Sequence, residues 1–221
     1  MTVCLLFRRI FSVTVLIIAQ AVTSVPAGAH EPPIVPGLDP GGVAVAILGT
    51  GLDYTHPKVA ARLARDGEGD LIAWDFSDGD GRPYSSGEEA IVNAIALLEA
   101  SRRIRLVVIK GKPSDPAAIG HMAAFAARTP ARIIFCPDAM LRTDWQVFKK
   151  AVSFFKDRLF VIMQHGQQQE GLLSIPNLLI LEHNQGEYRL DRAAAAISRA
   201  AEFLMKKPET TAAALKSAAQ T

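Results

Sequence analysis

The chain has 221 residues, 49% of them hydrophobic and 21% charged, a balance that excludes a disordered or fibrous protein and allows one domain with a sizeable core. Its 24 Lys and Arg are matched by 22 Asp and Glu. The basic surplus with which a nucleic-acid binder neutralises phosphates is missing, so nucleic acid is excluded as an expected partner.

The first 29 residues carry Arg8 and Arg9, an apolar run from Ile10 to about Val22, and then Ala27-Gly28-Ala29. This order predicts a secretory signal peptide over 1–29, cleaved after Ala29, and hence a secreted or periplasmic protein. About 13 apolar residues interrupted by Ser12, Thr14 and Gln20 fall short of the roughly 20 that a spanning helix needs. No stable membrane span is therefore expected after leader cleavage. Arg8-Arg9-Ile10-Phe11 partly resembles a twin-arginine export signal, which leaves the general and twin-arginine routes both open. Without the two leader arginines the remaining 192 positions hold 22 basic and 22 acidic residues. Cys4 leaves with the leader, so Cys136 stands alone without a disulfide partner and reads as a small buried hydrophobe.

Residues 30–42, HEPPIVPGLDPGG, contain four prolines and three glycines and predict an extended lead-in segment. From Val43 onward, through 43–221, the pattern is that of a single domain. Apolar runs of strand length lie at Val43 to Leu48, Leu71 to Phe76, Ile104 to Ile109, Ala131 to Cys136, Leu159 to Met163 and Leu178 to Leu181. They lack the alternation of a half-exposed sheet and suit parallel strands covered on both faces.

Helical patterns fall between them. Glu88 to Arg102 sets Ile91, Ala94, Ile95 and Leu98 on one stripe, with acids first and Arg102 and Arg103 last, the polarity that a helix dipole favours. Asp115 to Arg128 offers Ser114 as N-cap and Pro116 in its first turn. Asp144 to Lys156 places Trp145, Phe148, Val152 and Phe155 at helical spacing, as core contacts. Asp191 to Lys207 and Glu209 to Ala219, parted by Pro208, close the chain. Strand and helix thus alternate, which predicts the α/β class: a three-layer, doubly wound, mostly parallel sheet of about six strands.

In such a sheet the ligand crevice lies outside the carboxyl ends of the strands. The turn after the first strand is Gly49-Thr50-Gly51, but a dinucleotide fingerprint needs a third glycine where this chain has Tyr54. The stretch VAVAILGTGLDYTHPKVAARL, followed by LIAWDFSDGDGRPY, resembles the opening of a subtilisin-like serine peptidase, a subtilase. That family reads apolar strand, Asp-Thr-Gly-Ile/Val-Asp-x-x-His-Pro-x-Leu, then a Trp-Asp-Phe strand and an acidic turn. The likeness continues in order through Arg105 to Ile109, Asp115 to Arg128, Pro130 to Ile134 and the segment Ile175-Pro176-Asn177-Leu178-Leu179. It ends with Ala196 to Pro208 and Thr211 to Ala218 in the places of the last two family helices. The resemblance implies a subtilisin-like fold, shortened by compressed loops around Ser86 and after Gly171, and a family activity of serine-type endopeptidase.

The departures fall where that chemistry would be. A subtilase needs an Asp to orient its His, a His as general base for the nucleophilic Ser, and an Asn donor for the oxyanion. The resemblance puts Gly49 at the Asp position, Ser86 at the His, Gly166 at the oxyanion Asn, and Leu190 or Asp191 at the Ser. Asp53 is expected at the start of the next helix, directed elsewhere. At the family's substrate strand stands Pro137-Asp138-Ala139, where proline lacks the N–H that strand addition uses.

No other constellation replaces the lost one. His56 belongs to the His-Pro turn, His121 to a helix, and His165 and His183 follow strands, with Glu182 beside the latter; no compact spacing supplies three or four metal ligands. Asp75, Asp78 and Asp80 are weak calcium candidates in a Gly-rich acidic turn. No cofactor is expected. The sequence thus predicts a catalytically inactive pseudopeptidase that binds an unknown protein or peptide or plays a structural part. Two alternatives stand beside it: an active serine-type hydrolase using residues outside these positions, and a small-ligand-binding α/β domain built on Gly49-Thr50-Gly51.

Overall fold

A computed structural model describes residues 31–111, 115, 117–137, 145–164, 174–182 and 189–221. The chain divides into two compact units, Met1–Glu31 and Pro32–Thr221, and every described strand and helix belongs to the second. The expected leader over 1–29 lies outside the described residues. No helix among the described residues is long and apolar enough to cross a membrane.

Six strands form one sheet: β1 (Val43–Gly49), β2 (Ala73–Asp75), β3 (Ile104–Lys110), β4 (Ile133–Cys136), β5 (Leu159–Gln164) and β6 (Leu178–Glu182). Their order is β2-β3-β1-β4-β5-β6, and each neighbouring pair is parallel. Val45 at the centre is in register with Leu106 on one side and Ile133 on the other. The helices are α1 (Pro57–Ala60), α2 (Glu88–Ala100), α3 (Ala118–Arg128), α4 (Trp145–Phe154), α5 (Arg189–Lys206) and α6 (Ala212–Gln220).

Both faces of the sheet are covered. Val45, Ile47, Leu106, Val108, Phe135 and Val161 join one core with α1, α2, α5 and α6. Ala46, Leu48, Val107, Ile109, Ile134 and Phe160 join a second core with α3 and α4. A strand buried on both sides gains nothing from alternation, which is why the apolar runs are continuous. The expected three-layer, doubly wound α/β architecture is the observed one. Alanine at 193, 194, 196, 200 and 201, all buried, lets α5 lie close to the sheet and to α2, and the Ser198 hydroxyl donates to the Ala100 carbonyl at 3.1 Å.

Several boundaries differ from expectation. β2 spans only Ala73–Asp75 because Leu71 bridges antiparallel to Arg65 and the Ile72 N–H is taken by the Ala64 carbonyl. α2 ends at Ala100, where Ser101 turns extended (φ −151°, ψ 126°), so Arg102 and Arg103 lie past the helix end. Its buried stripe runs through Asn93, Ala94, Leu97 and Leu98, rotated from the one expected. α3 begins at Ala118, and the Asp115 carboxylate accepts from the Ala117 N–H at 2.9 Å; Ser114 and Pro116 lie outside the described residues. α6 starts at Ala212 rather than Glu209, because the Thr211 hydroxyl caps the Ala214 N–H at 3.2 Å.

Residues 31–42 contain no regular element, as their Pro and Gly content predicts, yet they are tied down. Gly37 N–H donates to the Gly69 carbonyl at 3.2 Å, and the Tyr54 hydroxyl donates to the Pro32 carbonyl at 2.6 Å. The Asp39 carboxylate accepts from the N–H of Gly41 at 2.7 Å and of Arg65 at 3.3 Å, and pairs with the Arg105 guanidinium.

Candidate functional site

The carboxyl end of β1 is where topology places a crevice. Gly49 ends the strand and its carbonyl accepts from Gly111 N–H at 2.9 Å. Two residues later the chain turns through Gly51 at φ 84°, where an added methyl would meet the Pro83 carbonyl at 2.6 Å. Leu52 N–H donates to Pro83 at 3.0 Å, and Ser85 N–H donates to the Leu52 carbonyl at 3.2 Å. These bonds fasten the turn after β1 to the segment leading into α2.

Above Gly49 there is space: a Cβ built there meets no atom within 4 Å. It opens on a cleft of about 80 Å³ bounded by Gly49, Thr50 and Gly51 at the turn, Ile47, Leu52, Val108, Ile109 and Pro137 beneath, and Glu89, Ala90 and Asn93 of α2. Asn93 is 8% exposed, and among the described residues its side-chain amide has no hydrogen-bond partner. Glu88 and Glu89 sit exposed in the first turn of α2, where carboxylates favour the helix dipole. The sequence reading passed over Asn93; a polar residue one turn from Ala90 and Leu97 on an apolar stripe was the available signal.

The positions carried over from the family are distributed as follows. Gly49 supplies no side chain to the cleft. Ser86 is exposed just before α2. On α5, Leu190 is half-buried against the core that α2 shares, and Asp191 is exposed in the first turn. Among the described residues no hydrogen bond or ion pair joins Gly49, Ser86, Leu190 and Asp191. Gly166 lies outside the described residues, as do Asp138, Ala139, His165 and His183.

The described histidines serve elsewhere. His56 is the N-cap of α1, its Nδ1 accepting from Lys58 N–H at 3.3 Å. Asp53 lies before this helix rather than in it, and its carboxylate accepts from the Thr55 N–H at 2.9 Å and hydroxyl at 2.6 Å. His121 is exposed on α3 and stacks on Phe76, with ring centroids 6.1 Å apart. Neither histidine reaches a serine or a cysteine. Cys136 is fully buried in β4, where desolvation pushes its thiol well above the ordinary range and keeps it protonated.

The acidic turn is organised around a lysine. Asp75, fully buried, accepts through Oδ1 from the N–H of Ser77 at 2.6 Å and of Asp78 at 3.2 Å. Its Oδ2 stands 2.7 Å from Lys110 Nζ, which is also 3.6 Å from Asp78. Asp80 accepts instead from Arg82 N–H at 2.8 Å, and its carbonyl receives Asp75 N–H at 2.7 Å. The Lys110 ammonium thus holds the position between Asp75 and Asp78 that a cation would take, against the calcium reading of this turn.

No protein-family model and no curated protein matches the sequence. Among solved structures, a lanthipeptide protease is similar at a TM-score of 0.55 and 12% identity, over 81% of this chain and 80% of its own. A cold-adapted subtilisin-like serine proteinase has a TM-score of 0.47 and 10% identity, over 83% and 82% of the two chains. Together with the six-stranded parallel sheet and its two helical layers, these likenesses assign the chain a subtilisin-like α/β fold.

Proposed function

We propose that this chain is an exported, noncatalytic member of the subtilisin-like architecture, with a binding or structural role toward a protein or peptide partner. The observation that supports it is the turn after β1. At the position that the resemblance gives to the orienting Asp, Gly49 leaves open space, and neither described histidine approaches it. Acyl transfer needs a nucleophile, a base in hydrogen-bond contact with it and a group that orients the base. None of these stands at the positions that the resemblance assigns to them. Export, with cleavage after Ala29, is supported by the order of charged, apolar and small residues over 1–29.

The test uses the full chain expressed with its own N-terminus. We expect the protein recovered outside the cytoplasm to begin at His30, to resist labelling by a fluorophosphonate serine probe and to leave generic peptide substrates intact. Labelling at any serine, with turnover abolished by its replacement with alanine, overturns the noncatalytic reading; retention of Met1 on the recovered protein overturns the cleaved leader.

A further inference from the structure

We infer that the cleft beside Gly49 is a binding site for a small neutral amide, held by the side chain of Asn93. The inference rests on the noncatalytic reading above, since it gives the vacated space a ligand rather than a scissile bond. Its first support is Asn93 itself. A side chain only 8% exposed that lines a cleft still has two N–H donors and a carbonyl acceptor, and buried groups of this kind are normally bonded. Among the described residues none bonds to it. It lies within the helix α2 and not on a loop, so its amide is held in place before any ligand arrives.

The surroundings select the ligand's charge. Ile47, Val108 and Pro137 present an apolar floor, over which a charged group would lose its hydration with no opposite charge facing it. The exposed Glu89 carboxylate at the edge repels anions, which argues against the phosphate of a nucleotide at the Gly49-Thr50-Gly51 turn. A neutral group that both donates and accepts fits. A primary amide offers its N–H to Asn93 Oδ1 and its carbonyl to Asn93 Nδ2, satisfying donor and acceptor together.

Size narrows the class. A cleft of about 80 Å³ is roughly half the 150 Å³ of an apolar cavity that takes up benzene, so the occupant is a short branched aliphatic amide such as isobutyramide. Its alkyl end covers Ile47 and Val108 while the space over Gly49 receives the remainder.

The experiment titrates the full chain, expressed with its own N-terminus and labelled with ¹⁵N, with isobutyramide, isobutyrate and isobutylamine in parallel. The Asn93 side-chain resonances and the Gly49 and Gly51 amides are followed. We expect saturable shifts with the amide, binding of the acid and the amine weaker by about tenfold or more, and an Asn93→Leu variant that loses about tenfold in affinity while keeping the rest of its spectrum. Absence of saturable shifts at Asn93, equal binding by the Leu variant, or preference for the acid or the amine overturns the inference. Should the variant not fold, the ligand ranking on the wild-type protein decides by itself. The same sample is treated with the fluorophosphonate probe and a peptide substrate. Labelling with turnover overturns the noncatalytic reading, whereas failure of the amide to bind an unlabelled, inert protein overturns only this site.

Discussion

Two glycines only two positions apart at the end of β1 have opposite tolerances. Gly51 has φ 84°, and a methyl placed there would stand 2.6 Å from the Pro83 carbonyl and 2.8 Å from Lys110 Cδ. Gly49 lacks both constraints, since nothing lies within 4 Å of its absent Cβ. Gly51→Ala should therefore cost about 2–4 kcal/mol through backbone strain and overlap, while Gly49→Ala should stay within about 0.5 kcal/mol of wild type. Urea unfolding of the two variants checks this, and equal midpoints would contradict the geometry of the turn. The contrast also bears on the lost chemistry. The place that the family gives to its Asp can still hold a side chain, so glycine there is not imposed by crowding. The sequence revealed the missing carboxylate at Gly49 because that residue lies in a motif of fixed spacing. It did not reveal Asn93, since an amide on a helical stripe has no spacing signature and gains meaning only when the strand ends opposite it are placed.

At the scale of elements, the end of α4 shows how a short segment fixes its neighbours. Asn177, 3% exposed, donates through Nδ2 to the carbonyls of Val152, Phe155 and Arg158 at 3.0, 3.1 and 3.0 Å. Two hydrogens serve three acceptors, so one of them is shared. The acceptors lie in and just beyond the last turn of α4, where helix carbonyls lack internal partners, and the Asn177 carbonyl accepts Phe160 N–H of β5 at 2.8 Å. Asn177→Ala leaves these carbonyls unmatched and should cost about 2–4 kcal/mol. Asn177→Asp, which keeps the shape but turns two oxygens toward them, should be at least as harmful. Recovery of stability in the Asp variant would show that shape rather than donation matters. The sequence marked Ile175-Pro176-Asn177 only as a family-like segment, and the role of its amide depends on a helix end more than twenty residues away. Strands were more legible than helix ends for the same physical reason. Burial on two faces writes a continuous apolar run, whereas an end is set by one or two hydrogen bonds, such as the cap that Thr211 provides for α6.

At the scale of the molecule, the lead-in segment is bound to the edge of the domain by charge more than by apolar burial. Val35 and Leu38 are exposed, at 73% and 95%, while Asp39 meets Arg105 of β3 and the backbone N–H groups of Gly41 and Arg65. Partial burial alone would raise the Asp39 carboxyl. The Gly41 N–H, the Arg105 guanidinium and the Arg65 N–H outweigh that effect and hold it below the ordinary carboxylate value. A carboxyl whose folded-state pKa is depressed adds stability that is present above its unfolded value and is lost as the pH falls through the folded one. At neutral pH the wild-type protein should therefore be more stable than Asp39→Asn, and the difference should shrink as the pH drops below about 4 and vanish once Asp39 is protonated in both states. Because the pair is partly open to solvent, added salt should narrow the neutral-pH difference as well. Urea unfolding of both proteins across this range, at low and high salt, measures the effect. A gap that persisted unchanged into acid would mean that the segment is held by the shape of its Pro and Gly backbone, with Asp39 incidental to it.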